Sequence, residues 1–163
     1  MPATSLSAAS SSPMPQHVNG CPTVEGFRAL LRKHGLKATA QRMAVHEAMM
    51  VLVHASPDQV SAQITAAGTQ KVTVASVYNI LSQLADFGIY RRRLSGSGKM
   101  VFDVRSGNHL HLYDRETGEF RDVVDEDLTD LVESRLRRRR FKGYSIDYVD
   151  IQFVCHPTKR KTK

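Results

Sequence analysis

The chain has 163 residues, 41% hydrophobic and 7% aromatic with no Trp, enough for one domain or two small ones and too little for a large multidomain enzyme or an α/β barrel. Twenty-three Lys and Arg against sixteen Asp and Glu leave a formal charge of +7, a balance suited to a polyanionic partner such as nucleic acid. Two cysteines, Cys21 and Cys155, exclude a disulfide framework or a four-thiolate zinc site within one chain, and no apolar run approaches the ~18 residues of a membrane span. The expected setting is a reducing cytoplasm, with no membrane partner.

Residues 1–23 contain no Asp, Glu, Lys or Arg and are rich in Ser, Ala and Pro. Such a segment has little apolar surface to offset the entropy of ordering and reads as a mobile arm. Residues 24–104 hold ten basic and five acidic residues, and residues 105–156 hold nine and eleven. A tail over 157–163 adds Lys159, Arg160, Lys161 and Lys163.

The middle segment predicts a series of short helices. Val24, Phe27, Leu30, Leu31 and His34 keep helical spacing up to Gly35, which accepts positive φ. A second helix begins after Thr39 and carries Met43, Ala44, Ala48 and Leu52, leaving His54 in a loop. Ser56-Pro57-Asp58-Gln59 has the form of a capping box with proline in the first turn, starting a third helix that runs to about Gly68. Thr73 caps a fourth helix, with Val77, Ile80, Leu81, Leu84 and Phe87 as its apolar stripe and Gly88 as its end. The opposite face offers Ser76, Tyr78, Asn79, Ser82 and Gln83, uncharged side chains of a kind that read base edges in a major groove. An ordinary solvated face would carry more Glu and Lys.

Residues 90–94 and 99–104 are β-like runs joined by Ser95-Gly96-Ser97-Gly98, a hairpin signal. Helices followed by a basic hairpin make a winged helix-turn-helix, with Arg91, Arg92 and Arg93 of the wing near DNA phosphates. Residues 109–113 and 119–123 predict a second hairpin. Asp125 caps a helix with the stripe Leu128, Leu131, Val132 and Leu136, and Arg137 to Arg140 form its solvated basic end. Tyr144 to Cys155 reads as one long strand in a dimer core. The class is α+β: an N-terminal winged helix-turn-helix domain followed by a small α/β dimerisation domain.

His109-Leu110-His111 on a strand puts both imidazoles on one face. With residues 115–118 as the hairpin loop, Asp122 falls opposite His111, and Asp103 closes the wing six residues before His109. Two imidazoles and two carboxylates suit Fe(II), Mn(II) or Zn(II); two histidines on a half-exposed strand are the plainer alternative. A metal-dependent hydrolase would use a metal-bound water, but the chain has no nucleophile elbow, P-loop or Gly-rich cofactor fingerprint. The expected protein is not an enzyme.

Gly35-Leu36-Lys37-Ala38-Thr39-Ala40-Gln41-Arg42, and Val74-Ala75-Ser76-Val77-Tyr78-Asn79-Ile80-Leu81 followed by Gly88-Ile89, resemble the first-helix signature and the recognition helix of the ferric uptake regulator family. The resemblance spans roughly residues 24–156. It implies a homodimeric winged-helix repressor binding a double-stranded operator, with a divalent metal at the hinge on His54, Asp103, His109, His111 and Asp122. It further implies base contacts from Ser76, Tyr78 and Asn79, and phosphate contacts from Lys37, Arg42 and the wing arginines Arg91 and Arg92. The family's structural zinc is absent, since Asp114 and Thr117 stand at one Cys-x-x-Cys pair and no second pair exists. Asn108 and Leu110 break a further site of the family.

Asn19-Gly20-Cys21-Pro22, Thr39-Ala40-Gln41-Arg42-Met43-Ala44 and Gly143-Tyr144-Ser145-Ile146 resemble the iron response regulators of α-proteobacteria. That resemblance implies haem as an off signal, bound by Cys21 of a Cys-Pro motif or at His109 and His111, the remnant of a histidine triplet. A peroxide-sensing repressor is the alternative, because such relatives carry aspartates where Asp103 and Asp122 stand.

Overall fold

The computed structural model describes residues 17–18, 21–107 and 109–158, with side chains from Pro22 onward. Strands β1 (His17–Val18) and β2 (Cys21–Pro22) pair as a small antiparallel ribbon, and Pro22 is buried. The expected free arm is therefore tied down at its end, where the ribbon leads directly into the Thr23 cap of the first helix; residues 1–16 lie outside the described residues. Helix α1 (Val24–Lys33) starts at Thr23, whose hydroxyl accepts the Gly26 N–H, and α2 (Ala40–Leu52) starts at Thr39 in the same way. Helix α3 (Pro57–Ala67) opens on the Ser56–Gln59 capping box and ends at Gly68 in the left-handed region, and α4 (Val74–Asp86) opens on a second box made by Thr73 and Ser76.

These helices share one core. Phe27 and Leu31 of α1, Val45 and Met49 of α2, Val60 and Ile64 of α3, and Val77, Leu81 and Leu84 of α4 are all buried in it, with Ile89, Tyr90 and Phe102. Phe87, expected on the stripe of α4, is exposed instead, because the helix ends there and Gly88 turns the chain away.

Strands β4 (Arg91–Leu94) and β5 (Met100–Asp103) form the wing hairpin, and β3 (His54–Ala55) adds to the other edge of β5, in the order β3-β5-β4. His54 thus belongs to a strand, not to a loop. A two-residue strand has no pattern of its own; its partner is 49 positions away, with His54 opposite Asp103. Val53, at φ 60° and ψ −58°, makes the sharp turn from α2 into β3. That conformation is strained for a β-branched residue. It is held by the Val53 N–H donating to Met49 O at 2.8 Å and the Val53 carbonyl accepting from Val104 N at 3.1 Å.

The second sheet has the order β7-β6-β8. Strand β6 (Leu110–Asp114) pairs antiparallel with β7 (Phe120–Val123) and parallel with β8 (Ile151–Cys155), and α5 (Glu126–Arg137) crosses between them from its Asp125 cap. The long strand expected over 144–155 is shortened to 151–155. Its ladder with β6 begins at Leu110 opposite Ile151, so among the described residues no strand runs beside 144–150 to take up their backbone groups.

Candidate metal centre

Two strand pairs supply four of five converging side chains. β3 and β5 set His54 opposite Asp103, and β6 and β7 set His111 opposite Asp122. His109 enters just before β6, on the same face as His111, while Leu110 between them is buried on the other face. His54 Nε2 lies 3.5 Å from Asp103 Oδ2 and 2.9 Å from Asp122 Oδ1. The corresponding distances are 3.1 and 3.3 Å for His109 Nε2, and 3.2 and 3.4 Å for His111 Nε2. All five donor atoms lie within 4.8 Å of one another.

Each carboxylate turns one oxygen inward because the other is occupied. Asp103 Oδ1 accepts the Arg105 backbone N–H at 2.8 Å, and Asp122 Oδ2 accepts from the Arg105 guanidinium at 2.5 Å. One arginine therefore orients both. His109 Nδ1 stands 2.8 Å from the Gly107 carbonyl; a carbonyl only accepts, so Nδ1 keeps its proton and Nε2, turned to the carboxylates, is the nitrogen that ligates once its own proton is released.

The donor set fits a divalent ion. Ligands about 2.1 Å from a common centre stand about 3.0 Å apart at right angles and about 3.6 Å apart at 120°, the range of the six distances above. His54 Nε2 and Asp122 Oδ1, although 2.9 Å apart, are buried and make no aligned hydrogen bond, as expected of atoms aimed at a shared centre. Three imidazoles and two carboxylates are a borderline-hard set suited to Fe(II), Mn(II) or Zn(II).

Without an ion the charges are held by proton sharing. Burial opposes a charge on His109, but its close contacts with the Asp103 and Asp122 carboxylates outweigh it and raise its pKa to about 9. His54 is raised for the same reasons. Burial would lift the carboxyls of Asp103 and Asp122, yet contacts with His109, His111 and His54 hold both well below the usual carboxylate range.

The residues expected at DNA divide by strand face. Tyr78 and Asn79 are exposed on α4, whereas the Ser76 hydroxyl is engaged in the cap with Thr73. Lys37 is exposed, and its carbonyl accepts from Arg42 Nη1 at 2.6 Å while Arg42 Nη2 donates to Gln83 Oε1 at 2.6 Å, bracing α2 against α4. Arg92 is on the outer face of the wing, bonded to Asp86 at 2.8 Å. Arg91 is engaged by the Ser106 carbonyl and lies 4.1 Å from the centre of the Tyr148 ring. Arg93, expected near phosphates, is instead buried and paired with Asp150, because alternation along β4 sends positions 91 and 93 to the side opposite Arg92.

The haem candidates divide too. The Cys21 side chain lies outside the described residues. His111 is fully buried and His109 nearly so, with both Nε2 atoms turned to the carboxylates, which leaves no open face for a macrocycle in this conformation. Arg105 and Asp150 were not among the expected site residues, and Arg93 was expected at phosphates, not beside the metal centre: nothing in their spacing marks them for it, since each acts across the fold.

A helical unit that ends in a β-hairpin wing, joined to a small sheet-and-helix unit by a buried cluster of three histidines and two aspartates, defines a winged-helix regulator with a metal-type sensor site. Residues 33–150 match the Ferric uptake regulator family. The ferric uptake regulation protein of Pseudomonas aeruginosa is 30% identical over 134 residues, covering 80% of this chain and 96% of its own. The peroxide-responsive repressor of Staphylococcus epidermidis is 31% identical over 138 residues, covering 82% and 88%. The structure of the P. aeruginosa ferric uptake regulator with manganese superposes with a TM-score of 0.67 at 26% identity, covering 81% of this chain and 98% of that one. The chain therefore belongs to the ferric uptake regulator family, metal-responsive DNA-binding transcription regulators and not enzymes. Among the described residues no helix is long and apolar enough to cross a membrane.

Proposed function

We propose that this protein is a homodimeric transcriptional repressor whose grip on a double-stranded operator is set by a divalent metal, Fe, Mn or Zn, at His54, Asp103, His109, His111 and Asp122, and that it reports iron status. The observation that carries this reading is the set of six nitrogen–oxygen distances between 2.9 and 3.5 Å, made by residues from both sheets. A bound ion supplies the positive charge that neutralises the two aspartates. The protein's own residues do the rest. His54 and Asp103 belong to the sheet that carries the wing, while His111 and Asp122 belong to the second sheet and His109 stands just before its strand β6, so joint ligation restrains one unit against the other. In a dimer that restraint sets whether two α4 helices match half-sites about 34 Å apart.

Tyr78 and Asn79, with Ser76 at the helix start, are proposed for base contacts, and Lys37, Arg42 and Arg92 for phosphates; Arg91 is engaged within the chain. The test is operator affinity, on the site the protein selects from a random pool, with and without Mn(II). Tightening by Mn(II) that is lost in His111→Ala supports the reading; affinity indifferent to Mn(II) sinks it. Tyr78→Ala is expected to lower the ratio of operator to random-DNA affinity at fixed salt.

The finer assignment, to the iron response regulators with haem as the off signal, rests on the Cys21-Pro22 motif in the sequence. Haem titration of wild type and Cys21→Ala, following the Soret band and operator affinity together, tests it. Haem that binds and weakens operator binding less in the variant supports Cys21 as a ligand; no haem binding removes the assignment. A second reading, peroxide sensing, is favoured by one observation: both carboxylates are aspartates held to a single inward oxygen by Arg105. Peroxide treatment of the Fe(II) form followed by mass spectrometry decides, since oxygen insertion at His54 or His109 is expected only of a peroxide sensor.

A further inference from the structure

Arg93 sits in the middle of a wing strand between exposed neighbours, yet it is only 7% exposed. A guanidinium is costly to bury unless its partners are charged. One partner is Asp150, which accepts from Arg93 Nη1; the other is Asp103, whose inward oxygen lies 3.5 Å from Nη2. Asp150 in turn is the carboxylate beside His111: its Oδ1 lies 3.9 Å from His111 Nδ1, a buried nitrogen with no hydrogen-bond partner. Ligating histidines are generally oriented by a carboxylate or carbonyl at the nitrogen that does not ligate. His109 has the Gly107 carbonyl for this purpose, and Asp150 is the group available to His111.

We propose that Arg93 is a positioning residue that couples the metal centre to the DNA-binding wing, by holding Asp103 directly and His111 through Asp150. This rests on the metal-responsive reading above and names the route by which the site acts on the wing. β4 is hydrogen-bonded along its length to β5, with Arg93 opposite Val101, so a guanidinium that follows Asp103 and Asp150 carries the wing strand with it. Two further contacts hold the wing against the second sheet and the segment before β8. Arg91 stacks over Tyr148, and Gly96 lies so close to Tyr113 that an added Cβ would stand 2.8 Å from the ring.

The experiment uses the full chain in four forms: wild type, Arg93→Met, Asp150→Asn and the double variant, with Arg93→Lys in reserve in case Arg93→Met fails to fold. Mn(II) affinity and the electron paramagnetic resonance spectrum of bound Mn(II) are read first. Operator affinity is then read with and without saturating Mn(II), on a duplex carrying the site that wild type selects. The expected result is Mn(II) affinity lowered about 10- to 100-fold in each single variant, with the double no weaker than the weaker single. The Mn(II)-dependent gain in operator affinity is expected to shrink in every Arg93 variant even at saturating metal. Variants that lose melting temperature but keep the wild-type spectrum, Mn(II) affinity and gain would make Arg93 merely structural and overturn the proposal. If wild type responds to Mn(II) and the variants respond equally, the coupling role alone fails. If wild type takes up no Mn(II), the metal-responsive reading fails and the coupling falls with it.

Discussion

Asp103 is the residue on which the chemistry converges: fully buried, it faces three imidazoles and one guanidinium. Such a carboxylate is kept ionised only by its neighbours, and the same neighbours make proton and metal compete. His109 is held at about pKa 9, so below that pH its Nε2 must release a proton to ligate. Mn(II) affinity is therefore expected to rise by at least about tenfold per pH unit as pH approaches 9, since His54 is raised as well, and to level off above, which titrations at three pH values would measure; a flat profile would remove His109 from the ligands. In the metal-free protein the sign is opposite. The His109–carboxylate contact stabilises the fold fully below pH 6.5, the unfolded value, and is lost as pH rises through 9.

Among the elements, α2 and α4 carry predictions independent of the metal. His46 on α2 is buried against Phe27, ring centres 4.0 Å apart, with Nδ1 2.8 Å from the Tyr90 hydroxyl. Burial lowers its pKa to about 4, so its contribution is present above pH 6.5 and is lost as pH falls from there towards 4. At pH 4.5 the loss amounts to roughly 2.5 kcal/mol. Urea unfolding at pH 7 and 4.5 checks this, with His46→Phe expected to lose less stability than wild type across that interval. The α4 capping box gives a second measurement: Thr73→Ala is expected to cost about 1 kcal/mol and lower the melting temperature by roughly 2–4 °C. Most of these elements were legible, because caps, glycine ends and apolar spacing are local. The register of the second hairpin was legible too, since the loop over 115–118 brings His111 opposite Asp122. Residues 144–150 were read as strand because their alternation is local, whereas pairing needs a neighbour that the fold does not provide.

At the scale of the molecule, α5 has no buried residue, and Leu131 and Phe153 stand 52% and 41% exposed. An apolar stripe left open in one chain, with no cysteine pairs to hold a structural zinc, makes apolar packing the basis of the proposed dimer. Light scattering of the purified protein is expected to give twice the chain mass with and without chelator, and a smaller mass for Leu131→Glu. Chelation is expected to act on stability instead. Metal at 100 times its dissociation constant contributes about 2.7 kcal/mol, so its removal lowers the melting temperature by roughly 5–10 °C.

Composition, caps, periodicity and a few motif residues by themselves determined a winged-helix protein with a second α/β unit, an uncharged side of α4 expected to face DNA, and Asp103, His109, His111 and Asp122 as a cluster. Only the tertiary structure decided that His54 lies on a strand against Asp103, that Arg105 orients both carboxylates, and that Arg93 turns inward to Asp150. The physical reason is range. Caps and periodicity act within one or two turns of chain, whereas the face a wing arginine takes, and the carboxylate a distant histidine meets, depend on which sheet folds against which.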